Sequence, residues 1–212
     1  MEITPLSKDG GQKAVSFFKY LCYTKRKGAA MFFETQITSE KQFQGRIVHV
    51  RQDTAKLHTG AIVPREVVEH SGGVCIIPMD HNKNCYLVEQ FRYPFGKMLL
   101  EFPAGRLEIG EDPKQCALRE LSEETGFLTS QLIDLGPMYP SPGYLTEVIH
   151  LYLALDLTAG KAHPDENEYV NLHKIPLDTL LNKVSIGELP DAKTQVGLLR
   201  LKLFLEGGLY GK

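Results

Sequence analysis

Residues 105–127 constrain this chain more than any other stretch. They read Gly-Arg-Leu-Glu-Ile-Gly-Glu-Asp-Pro-Lys-Gln-Cys-Ala-Leu-Arg-Glu-Leu-Ser-Glu-Glu-Thr-Gly-Phe. The second half has the marks of a helix. Pro113 suits a first helical turn, where its missing N–H costs nothing, and Glu111 and Asp112 complement the positive end of the dipole. Ala117, Leu118 and Leu121 form an apolar stripe, and Gly126 supplies the stop. Side chains at i and i+4 share a helix face, so Glu120 and Glu124 project together while Arg119 and Glu123 pair on the neighbouring face. Like charges at that spacing repel unless a cation lies between them. With Arg119 taking up Glu123, a hard divalent ion answers the remaining pair, because Mg²⁺ prefers carboxylate oxygens, water and substrate phosphates. A solvated acidic face is the commoner origin of a lone Glu pair, and the full stretch is what outweighs it.

That stretch resembles the Nudix box: Gly105, five residues, Glu111, seven residues, then Arg119-Glu120-aliphatic-x-Glu123-Glu124-x-Gly126-hydrophobic, with every specified position filled. The resemblance implies an α/β fold, an α/β/α sandwich with a mixed sheet, in which the box is a loop–helix–loop holding Mg²⁺ or Mn²⁺ against a diphosphate. Carried over residue by residue, Glu120 and Glu124 become metal ligands and the carbonyl of Ala104 a further one. Glu123 becomes a ligand or the partner of Arg119, and these two are counted with the catalytic residues.

The remainder is read as scaffold and substrate selection. A chain of 212 residues, 42% hydrophobic, is long enough for one good core with a small appendage. A net charge of −2 gives no basic field for nucleic acid, and no apolar run approaches membrane-spanning length, so neither partner is expected. Cys22, Cys75, Cys85 and Cys116 lack paired metal spacing and read as reduced thiols of a cytoplasmic protein. Residues 1–30 carry an aromatic segment (Phe17, Phe18, Tyr20, Leu21) followed by Lys25-Arg26-Lys27, without a cleavage signature. They are expected to be dispensable, either a poorly ordered extension or sequence upstream of a natural start at Met31.

Residues 31–72 form the next unit. Segments 45–57 and 61–70 read as an antiparallel hairpin about His58-Thr59-Gly60. Its exposed edge needs a cover, and an identical subunit supplies one, so a homodimer is expected. Residues 73–212 are assigned to the hydrolase domain. Strands are expected at 74–79, at 85–93 pairing back on it, and at 99–102, 132–135, 147–157 and 169–172. Helices are expected at 176–182 and from the cap Asp191 to 205, with Leu198, Leu199, Leu201, Leu203 and Leu205 mostly facing the core.

Within the family, three further segments resemble the ADP-ribose pyrophosphatase subgroup. They are Ser141-Pro142-Gly143 with Glu147 behind it, the acidic loop Asp165-Glu166-Asn167-Glu168, and Glu89-Gln90-Phe91-Arg92-Tyr93 leading into Leu100-Glu101-Phe102-Pro103-Ala104-Gly105. Singly, each has a plain explanation as a turn, a solvated loop or an edge strand. Together they imply that Glu166 is the general base and Glu168 completes the metal site. Arg92, Arg65, Ser141 and Glu147 are the substrate-binding candidates. The expected reaction is metal-dependent hydrolysis of the pyrophosphate of ADP-ribose or another nucleoside diphosphate sugar, a small-molecule nucleotide substrate. A dinucleoside polyphosphate hydrolase and a non-catalytic nucleotide sensor are the alternatives. The chain has no tryptophan to stack on a base, leaving Phe43, Phe95 and Tyr144 as candidates.

Overall fold

The computed structural model describes residues 32–163 and 169–207, so the expectations for residues 1–30 and for Glu166 and Glu168 lie outside the described residues. The core is built around strand β4 (Gly73–Pro78), a short apolar run buried along its whole length. Alternate side chains of a strand face opposite sides. Val74 and Ile76 accordingly pack beneath helix α1 (Pro113–Thr125), against Cys116, Ala117 and Leu121. Cys75 and Ile77 face the opposite layer, where they meet Phe102, Leu180, Leu198 and Leu201. Helices thus cover both faces of the central sheet, as the resemblance implies.

That sheet is mixed, in the order β7 (Ala104–Arg106), β4, β9 (Ile149–Ala159), β8 (Phe127–Met138). Strand β4 runs parallel to β9 and antiparallel to β7, and β8 runs antiparallel to β9. A second sheet has the order β10 (Asn171–Pro176), β5 (Asn84–Arg92), β6 (Lys97–Glu101). Here the expected pairing of 85–93 back onto 74–79 is corrected. Only a single Met79–Cys85 bridge joins them. Asp80 accepts from the backbone N–H of Asn82 and Asn84, and Lys83 takes a positive φ of 59°, so the turn redirects the chain into the other sheet.

The three-stranded antiparallel sheet β1 (Glu34–Gln44), β2 (His49–Leu57), β3 (Ile62–Glu69) confirms the hairpin and adds a strand in front of it. It joins the rest of the chain through β3. The Val68 N–H donates to Tyr144 O at 2.7 Å, and the Thr146 N–H donates to Val68 O at 3.0 Å.

Helix α2 (Leu177–Ser185) and helix α3 (Ala192–Leu205) form as expected, and Asp191 caps α3 by accepting from the Thr194 N–H at 2.9 Å. The leucine expectation is corrected: Leu198 and Leu201 are buried, whereas Leu199, Leu203 and Leu205 are exposed. The helical period allows only the face of Thr194, Gly197, Leu198 and Leu201 to reach the core, and the run carries leucine on other faces as well. Among the described residues, no helix is long and apolar enough to cross a membrane.

Candidate active site

Helix α1 is fixed at both ends by its own residues. Asp112 accepts from the N–H groups of Lys114 and Gln115, Pro113 occupies the first turn, and Gly126 ends the helix at φ 72°. Packing of Ala117 and Leu121 against β4 brings the adjoining flank of the same buried helix face, that of Glu120 and Glu124, against strand β7. There Glu120 and Glu124 are only 8% and 5% exposed. The Ala104 N–H donates to Glu124 Oε2 at 3.1 Å. A Cβ on Gly105 would lie 1.8 Å from the Glu120 carboxyl carbon, so the absence of a side chain at Gly105 is what lets that carboxylate press against the strand.

Buried carboxylates require partners. Arg119 donates from Nη1 to Glu120 at 2.7 Å and to Glu123 at 2.9 Å, and from Nε and Nη2 to the two oxygens of Glu111 at 3.0 and 3.1 Å. The expected Arg119–Glu123 pair is therefore present but is one part of a larger arrangement. The guanidinium fork has enough donors to serve three carboxylates, and Glu111 folds back over the helix to meet it. Beside Arg119 the Glu111 carboxyl is pulled down to about 2, and Arg119 itself is raised. Among the described residues, one guanidinium faces Glu111, Glu120 and Glu123, with Glu124 adjoining. Carboxylate oxygens beside a strand backbone are the donor set of a hard divalent cation, so the residues present fit the metal that the box implies. Among the described residues, no group of three His, Cys, Asp or Glu side chains converges at ligand spacing. Glu168, the further carboxylate assigned from the sequence, lies outside them.

Two cavities meet at Gly105. One, of about 610 Å³, is bounded by Arg46, His49, Glu69, Arg119 and Glu120. The other, of about 550 Å³, is bounded by Ala104, Arg92, Glu147, Asp191 and Lys193. Ile47, His70, Gly105 and Arg106 line both. Each volume falls in the range of small-molecule sites.

The fold thus brings Ala104, Glu120, Glu124, Arg119, Arg92 and Glu147 to one region, with Glu123 held to it through Arg119. Arg92 is fixed by a two-point contact, Nε and Nη2 donating to Glu101 at 2.8 and 2.7 Å. Glu147 stands 3.5 Å from His70 Nδ1. Ser141 lines neither cavity, and its carbonyl closes a turn by accepting from the Leu145 N–H at 3.0 Å. Arg65 lies on β3, bound twice to Glu34 at 2.8 Å, beside a separate hollow with Gly143 and Tyr144. Phe43, Phe95 and Tyr144 are all exposed and line neither main cavity. Arg106, His70 and Lys193 do line them and were not singled out from sequence. Arg106 occupies an unspecified position of the box, and the other two have no local pattern to mark them.

A NUDIX domain model matches residues 69–192. The chain is 39% identical over 175 residues to a methanol dehydrogenase activator from Bacillus methanolicus, covering 82% of this chain and 95% of that protein. It is 36% identical over 172 residues to an ADP-ribose pyrophosphatase from Bacillus subtilis strain 168, covering 80% of this chain and 93% of the relative. In fold it is similar to a crystal structure of an ADP compounds hydrolase, with a TM-score of 0.73 at 22% identity, covering 84% of this chain and 97% of that one.

Proposed function

The chain belongs to the NUDIX family, and we propose that it hydrolyses the pyrophosphate linkage of ADP-ribose or a close nucleoside diphosphate sugar, with Mg²⁺ or Mn²⁺, to a nucleoside monophosphate and a sugar phosphate. The observation that carries this reading is the buried Glu120–Glu124 pair pressed on Gly105, where two cavities meet. The pyrophosphatase relative, matched over most of both chains, supports the substrate class.

Glu120, Glu124, Glu168 and the Ala104 carbonyl are the residues that would hold the metal. When bound, the metal offsets phosphate charge and lowers the pKa of a coordinated water. Arg119 keeps Glu120 in place and ties the helix to Glu111. Arg92 donates to phosphate oxygens with the edge of its guanidinium that Glu101 leaves available. Glu166 takes the proton of the attacking water, and Glu147, which lines the second cavity, acts on the sugar side. Cys75, Cys85 and Cys116 are free and buried, which supports a cytoplasmic setting.

A panel of nucleotides with product identification tests the substrate. The expected result is a kcat/KM for a nucleoside diphosphate sugar at least about tenfold above that for nucleoside triphosphates or dinucleoside polyphosphates. Either of the latter winning the comparison would remove the sugar-nucleotide assignment. Binding without turnover of any of them would favour a nucleotide sensor.

The protein is proposed to act as a homodimer through its N-terminal sheet. All eleven residues of β1 are exposed, β1 is an edge strand, and Phe32, Phe33, Ile37 and Phe43 stand in solvent on or beside it. In that assembly the sheet of one copy brings Arg65 and Phe43 to the nucleoside held by the other. Light scattering at micromolar concentration should give twice the chain mass, and a fully active monomer would overturn the assignment.

A further inference from the structure

Glu101 ends strand β6 and is 1% exposed. An ion at that depth persists only with partners, and it has two. Arg92 donates to Oε1 and Oε2 at 2.8 and 2.7 Å, and the Lys193 ammonium donates to Oε2. Lys193, whose side chain is 11% exposed, also lies 3.0 Å from Asp191 Oδ1, the cap of helix α3. Burial works against the Lys193 ammonium, but Asp191 and Glu101 outweigh it and hold its pKa above the usual lysine value. Burial likewise pushes the Glu101 carboxyl up, but Arg92 and Lys193 outweigh it and bring the pKa below the ordinary value. Two cations and two anions therefore face one another, ionised, where the second sheet meets α3.

Their placement relative to the cavity is asymmetric. Arg92, Asp191 and Lys193 reach the wall of the 550 Å³ cavity, and Glu101 lies behind them. Arg92 commits Nε and Nη2 to Glu101, which leaves Nη1 as the donor for an anion in the cavity. A guanidinium paired with a buried carboxylate presents little net charge to such an anion. With Asp191 included the four groups sum to zero net charge, but a second cation on the same carboxylate offsets the pairing locally at Arg92. Lys193 stands in that position, on the oxygen that Arg92 Nη2 also uses.

We propose that Lys193 is a positioning residue of the diphosphate site: by orienting and neutralising Glu101 it holds Arg92 with one guanidinium edge, and its positive charge, turned toward the substrate phosphates. The inference rests on the proposed reaction in taking a diphosphate as the occupant. Lys193→Met removes one positive charge beside Arg92. The KM for the nucleoside diphosphate sugar should rise about tenfold, while kcat changes by less than about threefold. Affinity for methylenediphosphonate with Mg²⁺, measured calorimetrically, should fall by a similar factor, and Lys193→Arg should keep most of it.

In an Arg92→Lys background, Lys193→Met should add less than about a further twofold, because its effect passes through Arg92. An undiminished effect there would overturn the positioning role in favour of direct contact with the anion. A purely structural lysine would lower the melting temperature and the active fraction without moving KM or diphosphonate affinity, and that outcome overturns the inference. If Lys193→Met fails to fold, Lys193→Gln, which keeps a donor toward Glu101 without the charge, gives the same comparison. A wild type that binds methylenediphosphonate in a Lys193-dependent manner yet hydrolyses no sugar nucleotide leaves the inference standing and removes the proposed reaction. A wild type that binds no diphosphonate overturns the inference.

Discussion

Glu120→Gln and Glu124→Gln will each lower turnover by about two to three orders of magnitude while the fold survives. The two carboxylates are buried at 8% and 5% exposure on one face of α1, within reach of the β7 backbone. Glutamine has nearly the same shape and still accepts a hydrogen bond. It can take the Ala104 N–H at position 124 and the Arg119 guanidinium at position 120. What it loses is the charge, and with it the capacity to serve a hard cation. Thermal stability should hold or rise slightly, since the like charges four apart are relieved. Mg²⁺ titrations of activity and calorimetric Mg²⁺ binding provide the check. Either variant keeping near wild-type activity at low Mg²⁺ takes that residue out of the ligand set. The same measurements divide the acidic loop: Glu166→Gln should reduce turnover with metal affinity nearly intact, whereas Glu168→Gln should weaken metal binding. The reverse pattern exchanges their roles.

Sequence made helix α1 legible because everything defining it is local. The Asp112 cap, Pro113, the Ala117–Leu121 contact with the core and the Gly126 stop lie within one element, and the structure forms each of them. Strand β1 was illegible for the opposite reason. All of its residues are exposed, so burial imposes no alternation on the sequence. The destination of β5 was equally hidden, since a hairpin and a sheet crossover share the same turn residues, and the choice is made by pairing with the following strand β6 and with β10, far along the chain. At the site, the i,i+4 rule found Arg119–Glu123 but not the Glu111 contact, which depends on how the loop before the helix folds back. Lys193 meets Glu101 across 92 positions of sequence, and no local pattern announces a contact of that kind.

Gly105→Ala should be almost as damaging to turnover as losing Glu120 itself, by at least about a hundredfold, with only a small change in melting temperature. The backbone at Gly105 is not in the left-handed region, so alanine is acceptable to the strand itself. The obstacle is the neighbour: an added Cβ would fall 1.8, 1.9 and 2.3 Å from the carboxyl carbon and two oxygens of Glu120. These atoms end a flexible side chain, so the clash is relieved by rotating Glu120 away rather than by moving the sheet. That rotation breaks the 2.7 Å contact with Arg119 and takes the carboxylate from its place beside Glu124. Metal affinity should therefore fall together with turnover. A compensating change distinguishes this from general disruption. Glu120→Asp retracts the carboxylate by one methylene, so it should cost activity in the wild type yet recover part of it in the Gly105→Ala background. A Gly105→Ala protein with wild-type turnover would show that the site does not need Glu120 against this strand. A melting temperature lowered by more than about 10 °C would place the role of Gly105 in β7 packing instead.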